Sequence, residues 1–240
     1  KNTLIFMTMT ILGAILNAAP AGDYVVYAGA YTNPQNPGIQ GFRWRPADGS
    51  LTPLGLMGAT SNPSWVLVHP NGKYLYAVDE QSKGEVSAFA INRETGKLTL
   101  LNTVSSAGAG PCHLSFDRDG KFVFVANYES GSIAAFPLGS DGRLGQASAI
   151  VQHKGQNAGP GVDKERQEGP HAHFIMASPD NRFVLAADLG LDEILVYRFD
   201  PSQGTLTPND PPFWKSHGGR GPRHFAFSPD GKFLFLVNEL

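Results

Sequence analysis

Four stretches of the chain share one pattern of apolar and polar positions: Asn62–Glu80, Gly110–Tyr128, Pro170–Leu189 and Gly221–Glu239. Each is an apolar run, a turn of Pro, Asp, Asn and Gly, and a second run in which β-branched and aromatic residues alternate with others. That order predicts a β-hairpin with a short bulged loop. The turns carry Gly72, Gly120, Asn181 and Gly231 at equivalent places, so the pattern recurs after 48, 61 and 50 residues. This is the period of a propeller blade. A third apolar run follows each of the first three hairpins, at Gly84–Ile91, Gly131–Leu138 and Asp192–Phe199, and a turn such as Asn92–Lys97 leads to a weaker fourth such as Leu98–Val104. No helical 3.6-residue period is visible anywhere. The pattern therefore predicts an all-β fold, a β-propeller of four-stranded blades around a central channel. Asp23–Leu56 reads as the outer part of one more blade without its own inner strand, of the kind normally completed by the far end of a chain.

Composition agrees and narrows the partners. The 240 residues include 28 Gly and 18 Pro, and only 17% are charged, which suits a turn-rich β protein. A net charge of −2 offers no basic stripe for a phosphate backbone, so a small molecule is the expected partner rather than nucleic acid. Residues Leu4–Leu16 form an uncharged, mostly apolar run after Lys1, followed by Asn17–Ala21. That reads as a secretory signal peptide over 1–21, cut after Ala21, with the propeller over 22–240. The run is too short for a confident membrane span, so the expectation is export to the periplasm or beyond, without stable membrane insertion. The alternative is an interfacial or core segment of a cytoplasmic protein. Cys112 is the only cysteine, so no intrachain disulfide is possible. The first residue is Lys and the final stretch, GKFLFLVNEL, breaks off inside a strand pattern, which reads as a fragment.

In a propeller the innermost strands line the channel, so equivalent positions of successive repeats meet at one mouth. Six residues before the turn proline Pro179 stands His173, and six before Pro229 stands Arg223; the same register gives Cys112 and Ser64. Period-2 strands point these four in one sense. Antiparallel pairing brings Arg223 within a residue or two of Val237–Glu239, and the acids at that level are Asp79, Glu80, Asp188 and Glu239. Each has a plainer reading. Arg223 can be a structural ion pair with Glu239, His171 can pack or touch a substrate, and Asp188 can cap a turn or bind one. His113 and His224 alternate to the other face, which suggests structural roles. Cys112 and His113 are adjacent on a strand and so cannot share a proton. The His171 and His173 pair has no third ligand at metal spacing, so neither a metal nor another cofactor is expected.

The glycine-histidine and Trp-Asp signature of WD40 repeats and the kelch diglycine are missing. Instead, RQEGPHAH, ADLG, GPRH…SPDGKFLFLVNEL and the recurring PDG-K-aromatic hairpins resemble the seven-bladed propeller lactonase family, whose members include 6-phosphogluconolactonase and whose relatives include a carboxymuconate-cyclising enzyme. The likeness runs from Tyr24 to Leu240. It implies seven blades in a complete chain, four and a fraction of them here, and a soluble monomer when full length. It also implies hydrolysis of a sugar lactone, with His173, Arg223 and Glu239 matching the family's proposed active-site His, Arg and Glu. A further arginine of the family would lie beyond Leu240. His171, Asp188 and Arg166 are the expected substrate contacts. Such chemistry needs a base for water and a cation for the developing oxyanion, which an imidazole and a guanidinium supply. The polar segment Gly155–Gly169 reads either as a lid carrying Lys164 and Arg166 or as a solvated linker. Two other functions fit the same residues: a non-catalytic exported propeller binding a ligand or protein, and a lactone-forming cycloisomerase.

Overall fold

A computed structural model describes residues 22–240; the signal-peptide expectation for residues 1–21 lies outside the described residues. The first sheet has three antiparallel strands, β1 (Tyr24–Ala28), β2 (Gly38–Arg45) and β3 (Ser50–Ala59). Three four-stranded meanders follow. They are β4 (Val66–Val68), β5 (Tyr74–Asp79), β6 (Glu85–Ile91) and β7 (Leu98–Ser105); β8 (Pro111–Phe116), β9 (Phe122–Asn127), β10 (Ser132–Pro137) and β11 (Ala149–Gln152); and β12 (Ala172–Ala177), β13 (Phe183–Asp188), β14 (Glu193–Asp200) and β15 (Thr205–Lys215). A last hairpin joins β16 (Pro222–Phe227) to β17 (Leu234–Asn238). The chain is thus all-β among the described residues, as the periodicity predicts, and no helix in them is long and apolar enough to cross a membrane.

The inner hairpins turn where the repeat places Gly or Asn. Gly72, Gly120, Asn181 and Gly231 have φ of 67°, 67°, 59° and 70°, and each donates its N–H to the carbonyl three residues earlier. Asn tolerates this left-handed region better than other side-chain-bearing residues, and Asn181 uses its side chain as well. Its Oδ1 accepts from the Arg118 N–H at 3.0 Å and its Nδ2 donates to Asp117 at 3.2 Å, which ties the turn to its neighbour in the preceding blade.

The core lies between blades. Phe122, Phe124, Ala126, Ile133 and Ala135 of one blade pack on Ala172, Ile175, Ala177, Val184 and Ala186 of the next. A second cluster joins Tyr76, Val78, Val86 and Ala88 to Leu114, Val123, Val125 and Ala134. Every residue of β9 is buried, because a central strand is covered on both faces; that explains its unbroken apolar run. The longer second period, 61 residues, has a local cause: residues 153–171 link β11 to β12 as an irregular segment at the channel mouth.

Candidate active site

The inner strands carry a repeated irregularity where they reach the mouth. Pairing slips between Pro111 and His113 in β8, between Ala172 and Phe174 in β12, and between Pro222 and His224 in β16. The extra residue is Cys112, His173 or Arg223. A bulge re-aims side chains near a strand end, so the three equivalent positions found from the register share a backbone distortion as well as a face. It also changes the simple alternation expected of their neighbours. His224 does not turn away from the site: its ring lies 5.2 Å from that of His173, 5.5 Å from His113 and 4.8 Å from Phe174. Trp65 completes this aromatic floor, 4.5 Å from His113.

At the mouth, Glu239 gathers the charged groups. Arg223 donates from Nε to its Oε2 at 2.7 Å, Arg166 donates from Nη2 to its Oε1, and His173 Nε2 stands 3.6 Å from Oε2. Among the described residues no other acid pairs with either guanidinium. Burial pushes the Glu239 carboxyl up, but the two guanidinium bonds and nearby His173 outweigh it and hold the group below the usual carboxylate range. Burial, then the Arg223 charge, hold the His173 imidazole below its ordinary 6.5; Glu239 and Glu80 oppose the shift without cancelling it. His224 is pushed down to about 4 by burial and by His173 and Arg223. At neutral pH these rings are uncharged, and His173 is free to accept a proton. Its Nδ1 is buried without a hydrogen-bond partner among the described residues.

The acids expected at one level separate into two rows. Asp79, Asn127, Asp188 and Asn238 close the second strand of each inner hairpin, and the first three are fully or almost fully buried. Asp79 accepts from Thr60 and Ser87, Asn127 donates to the Ser106 carbonyl at 3.1 Å, and Asp188 binds His153 Nδ1 at 2.6 Å. The next residue in each, Glu80, Tyr128, Leu189 and Glu239, forms the other row. Glu80 accepts a 2.7 Å hydrogen bond from Tyr31, whose phenol is thereby pushed up to about 12, and Tyr128 and Glu239 meet Arg166. Asp188, read from the sequence as a substrate contact or a turn cap, faces inward in the first of these rows. It is 0% exposed and both carboxylate oxygens are occupied, Oδ1 by the N–H groups of His171 and Leu191.

His171 is engaged in packing. Its Nδ1 meets the Tyr128 carbonyl at 3.0 Å, its Nε2 meets Glu168 at 2.9 Å, and its ring stacks on Tyr128 at 4.6 Å. Tyr128 is the side chain that the sequence reading missed. Besides that stack it sets its ring edge-on to His173, and its hydroxyl accepts from Arg166 at 3.2 Å. Its position, one residue beyond the buried row, matched Glu239 in register and was the available signal. Arg166 reaches the mouth from a segment anchored at both ends, not from a loose lid: Asn157 donates to Asp192, and Gln167 donates to the Leu189 carbonyl at 2.8 Å while accepting from Asp163. Cys112 points its thiol at the carbonyls of Ala126, Ala172 and His173, 3.4 to 3.8 Å away, and burial pushes its pKa up. Among the described residues no group of three or more His, Cys, Asp or Glu is arranged to hold a metal ion.

The family model described as "Lactonase, 7-bladed beta-propeller" matches residues 25–240. The chain belongs to that lactonase family. Among its relatives is the 6-phosphogluconolactonase of Bacillus subtilis strain 168, 35% identical over 221 residues, which are 90% of this chain and 60% of that one. Among solved structures, a Bacteroides fragilis protein superposes with a TM-score of 0.84 at 40% identity, covering 90% of this chain and 61% of that one. The periplasmic gluconolactonase of Pseudomonas aeruginosa gives a TM-score of 0.84 at 34% identity, covering 91% and 62%. The chain thus spans about 60% of the length of these relatives.

Proposed function

We propose that this protein hydrolyses a sugar lactone to the corresponding aldonic acid, with an acid-bearing lactone preferred. The observation that carries the reading is the convergence on Glu239 of two guanidiniums from separate segments and of an uncharged imidazole. His173 takes a proton from water as the oxygen attacks the lactone carbonyl. Arg223 stabilises the negative charge that grows on the carbonyl oxygen. When the tetrahedral species collapses, the ring C–O bond breaks and the imidazolium returns its proton to the leaving alkoxide. Glu239 holds both arginines and, facing His173, favours the imidazolium formed in the step. One carboxylate shared by two guanidiniums leaves a surplus positive charge, which suits a phosphate or carboxylate on the sugar.

The relatives support the class while differing in the lactone: one is named for a phosphorylated sugar lactone, another for gluconolactone. The apolar run after Lys1 and the likeness to a periplasmic protein support export. The test is a panel of phosphorylated, carboxylated and neutral sugar lactones, assayed above spontaneous hydrolysis. The expected result is turnover with a lower KM for the anionic members. No turnover of any lactone by folded protein would overturn the proposal, and equal KM values across the panel would remove the charge preference.

A further inference from the structure

The stretch from the end of β13 to the start of β14, Asp188-Leu189-Gly190-Leu191-Asp192, hydrogen-bonds both to the segment that carries Arg166 and the histidines and to Gly219–Gly221 before Arg223, yet its two acids are 0% exposed. Asp188 works toward the histidines. Its Oδ2 binds His153 Nδ1 at 2.6 Å, and its Oδ1 accepts the backbone N–H of His171 at 2.8 Å; the Leu189 N–H returns a bond to the His171 carbonyl at 2.9 Å. His171 in turn stacks on Tyr128 and stands two residues before His173.

Asp192 works toward the arginines. It accepts three successive backbone N–H groups, from Gly219 at 2.8 Å, Arg220 at 2.9 Å and Gly221 at 2.8 Å, and also the Asn157 side chain of the segment that carries Arg166. The Gly221 carbonyl then accepts the Glu239 N–H at 2.9 Å. Asp192 itself sits at φ 57°, a left-handed conformation held by these bonds.

We propose that Asp188 and Asp192 are positioning residues for separate halves of the site: Asp188, with His153, sets His171 and His173, and Asp192 sets Glu239 with the two arginines. The proposal rests on the lactone-hydrolase reading for its kinetic signature and on the geometry alone for its binding and spectroscopic one. Supports one bond removed from reacting groups commonly matter by about 10- to 100-fold when lost. A shared structural role would lower melting temperature and active fraction in every variant alike; two separate halves give two different kinetic signatures.

The experiment compares His153→Phe, Asp188→Ala and Asp192→Asn well below the melting temperature of each, per mole of folded protein, on a phosphorylated sugar lactone. His153→Phe and Asp188→Ala are expected to lower kcat by about 10- to 100-fold while moving KM by less than about 3-fold. Asp192→Asn places an amide N–H₂ against backbone N–H groups and is expected to raise KM by about 10-fold with kcat within about 3-fold. Should Asp188→Ala fail to fold, His153→Asn decides its half: it restores a donor to Asp188 and is expected to bring kcat back to within about 3-fold of wild type, which His153→Phe does not. Two measurements need no turnover. Nitrogen-15 imidazole resonances of His171 shift in His153→Phe and stay in Asp192→Asn, and calorimetric affinity for 6-phosphogluconate falls only in Asp192→Asn. Both groups of variants moving the same parameter, or neither moving any, overturns the proposal. Absence of turnover in the wild type overturns the hydrolase reading instead and leaves these two measurements to decide the positioning roles.

Discussion

The β8–β9 and β12–β13 hairpins are nearly the same object with opposite fates. Both slip register at the second residue of the inner strand, both turn on a left-handed residue, and both end in a buried amide or acid. At the bulge, however, the first carries Cys112, whose thiol is turned into neighbouring carbonyls, and the second carries His173, whose Nε2 faces Glu239. The repeat supplies an address and the side chain decides its use. What separates an occupied address from a silent one is the segment brought opposite: His173 has β16–β17 and the Arg166 segment across from it.

The contrast breaks most sharply at His173. His173→Ala is expected to lower lactone turnover by a factor on the order of 10² to 10⁴ with little change in melting temperature, measured by steady-state kinetics and thermal denaturation. Next in size is an attack on the shared scaffold. Phe124 of β9 is fully buried between blades, so Phe124→Ala should cost about 3–5 kcal/mol in denaturant unfolding, and loss of under about 1 kcal/mol would show that the inter-blade core repacks around it.

A smaller effect sharpens the electrostatics. Since His173 is held below 6.5, turnover should persist as pH falls through 6.5 and decline only as the imidazole protonates below it. Arg223→Gln removes a neighbouring cation and should move that acid limb upward, toward 6.5, in a pH–rate profile. The same depression makes a stability prediction. His173, His224 and His113 all have folded values below 6.5, so on acidification the unfolded chain takes up protons first. Stability is full above pH 6.5 and is lost as pH falls toward the His224 value of about 4.

The least disruptive changes concern the turns and the silent address. Asn181→Gly keeps the left-handed turn but removes both side-chain bonds to the preceding blade, for an expected loss of about 1 kcal/mol in chemical denaturation. Cys112→Ala should leave kcat within about twofold, and the thiol of the wild type should resist alkylation under native conditions; rapid labelling would show that the address is open.

The hairpins, their period and the convergence of His173, Arg223 and Glu239 were legible because each depends on alternation within one short stretch. The separation of Asp188 from Glu239 was not legible, because neighbouring strand residues have different destinations and the two acids belong to adjacent rows. His224 was sent to the wrong face by perfect alternation, which the bulge interrupts. Tyr128 escaped because its role is set by a stack on His171, 43 residues away, and the anchoring of Arg166 depends on contacts between segments that no local pattern encodes.

One feature of the Gly219–Gly221 turn bears on how anions are recognised. Its three consecutive N–H groups form a nest, the backbone concavity that many proteins offer to phosphate, and Asp192 already fills it. The chain carries its own anion there, so on the proposed reading an acid group on the substrate meets exposed guanidinium side chains and not a rigid backbone cradle. Recognition of that kind follows charge more than shape. It should weaken steeply with ionic strength and discriminate poorly between phosphate, sulfate and carboxylate esters of similar reach.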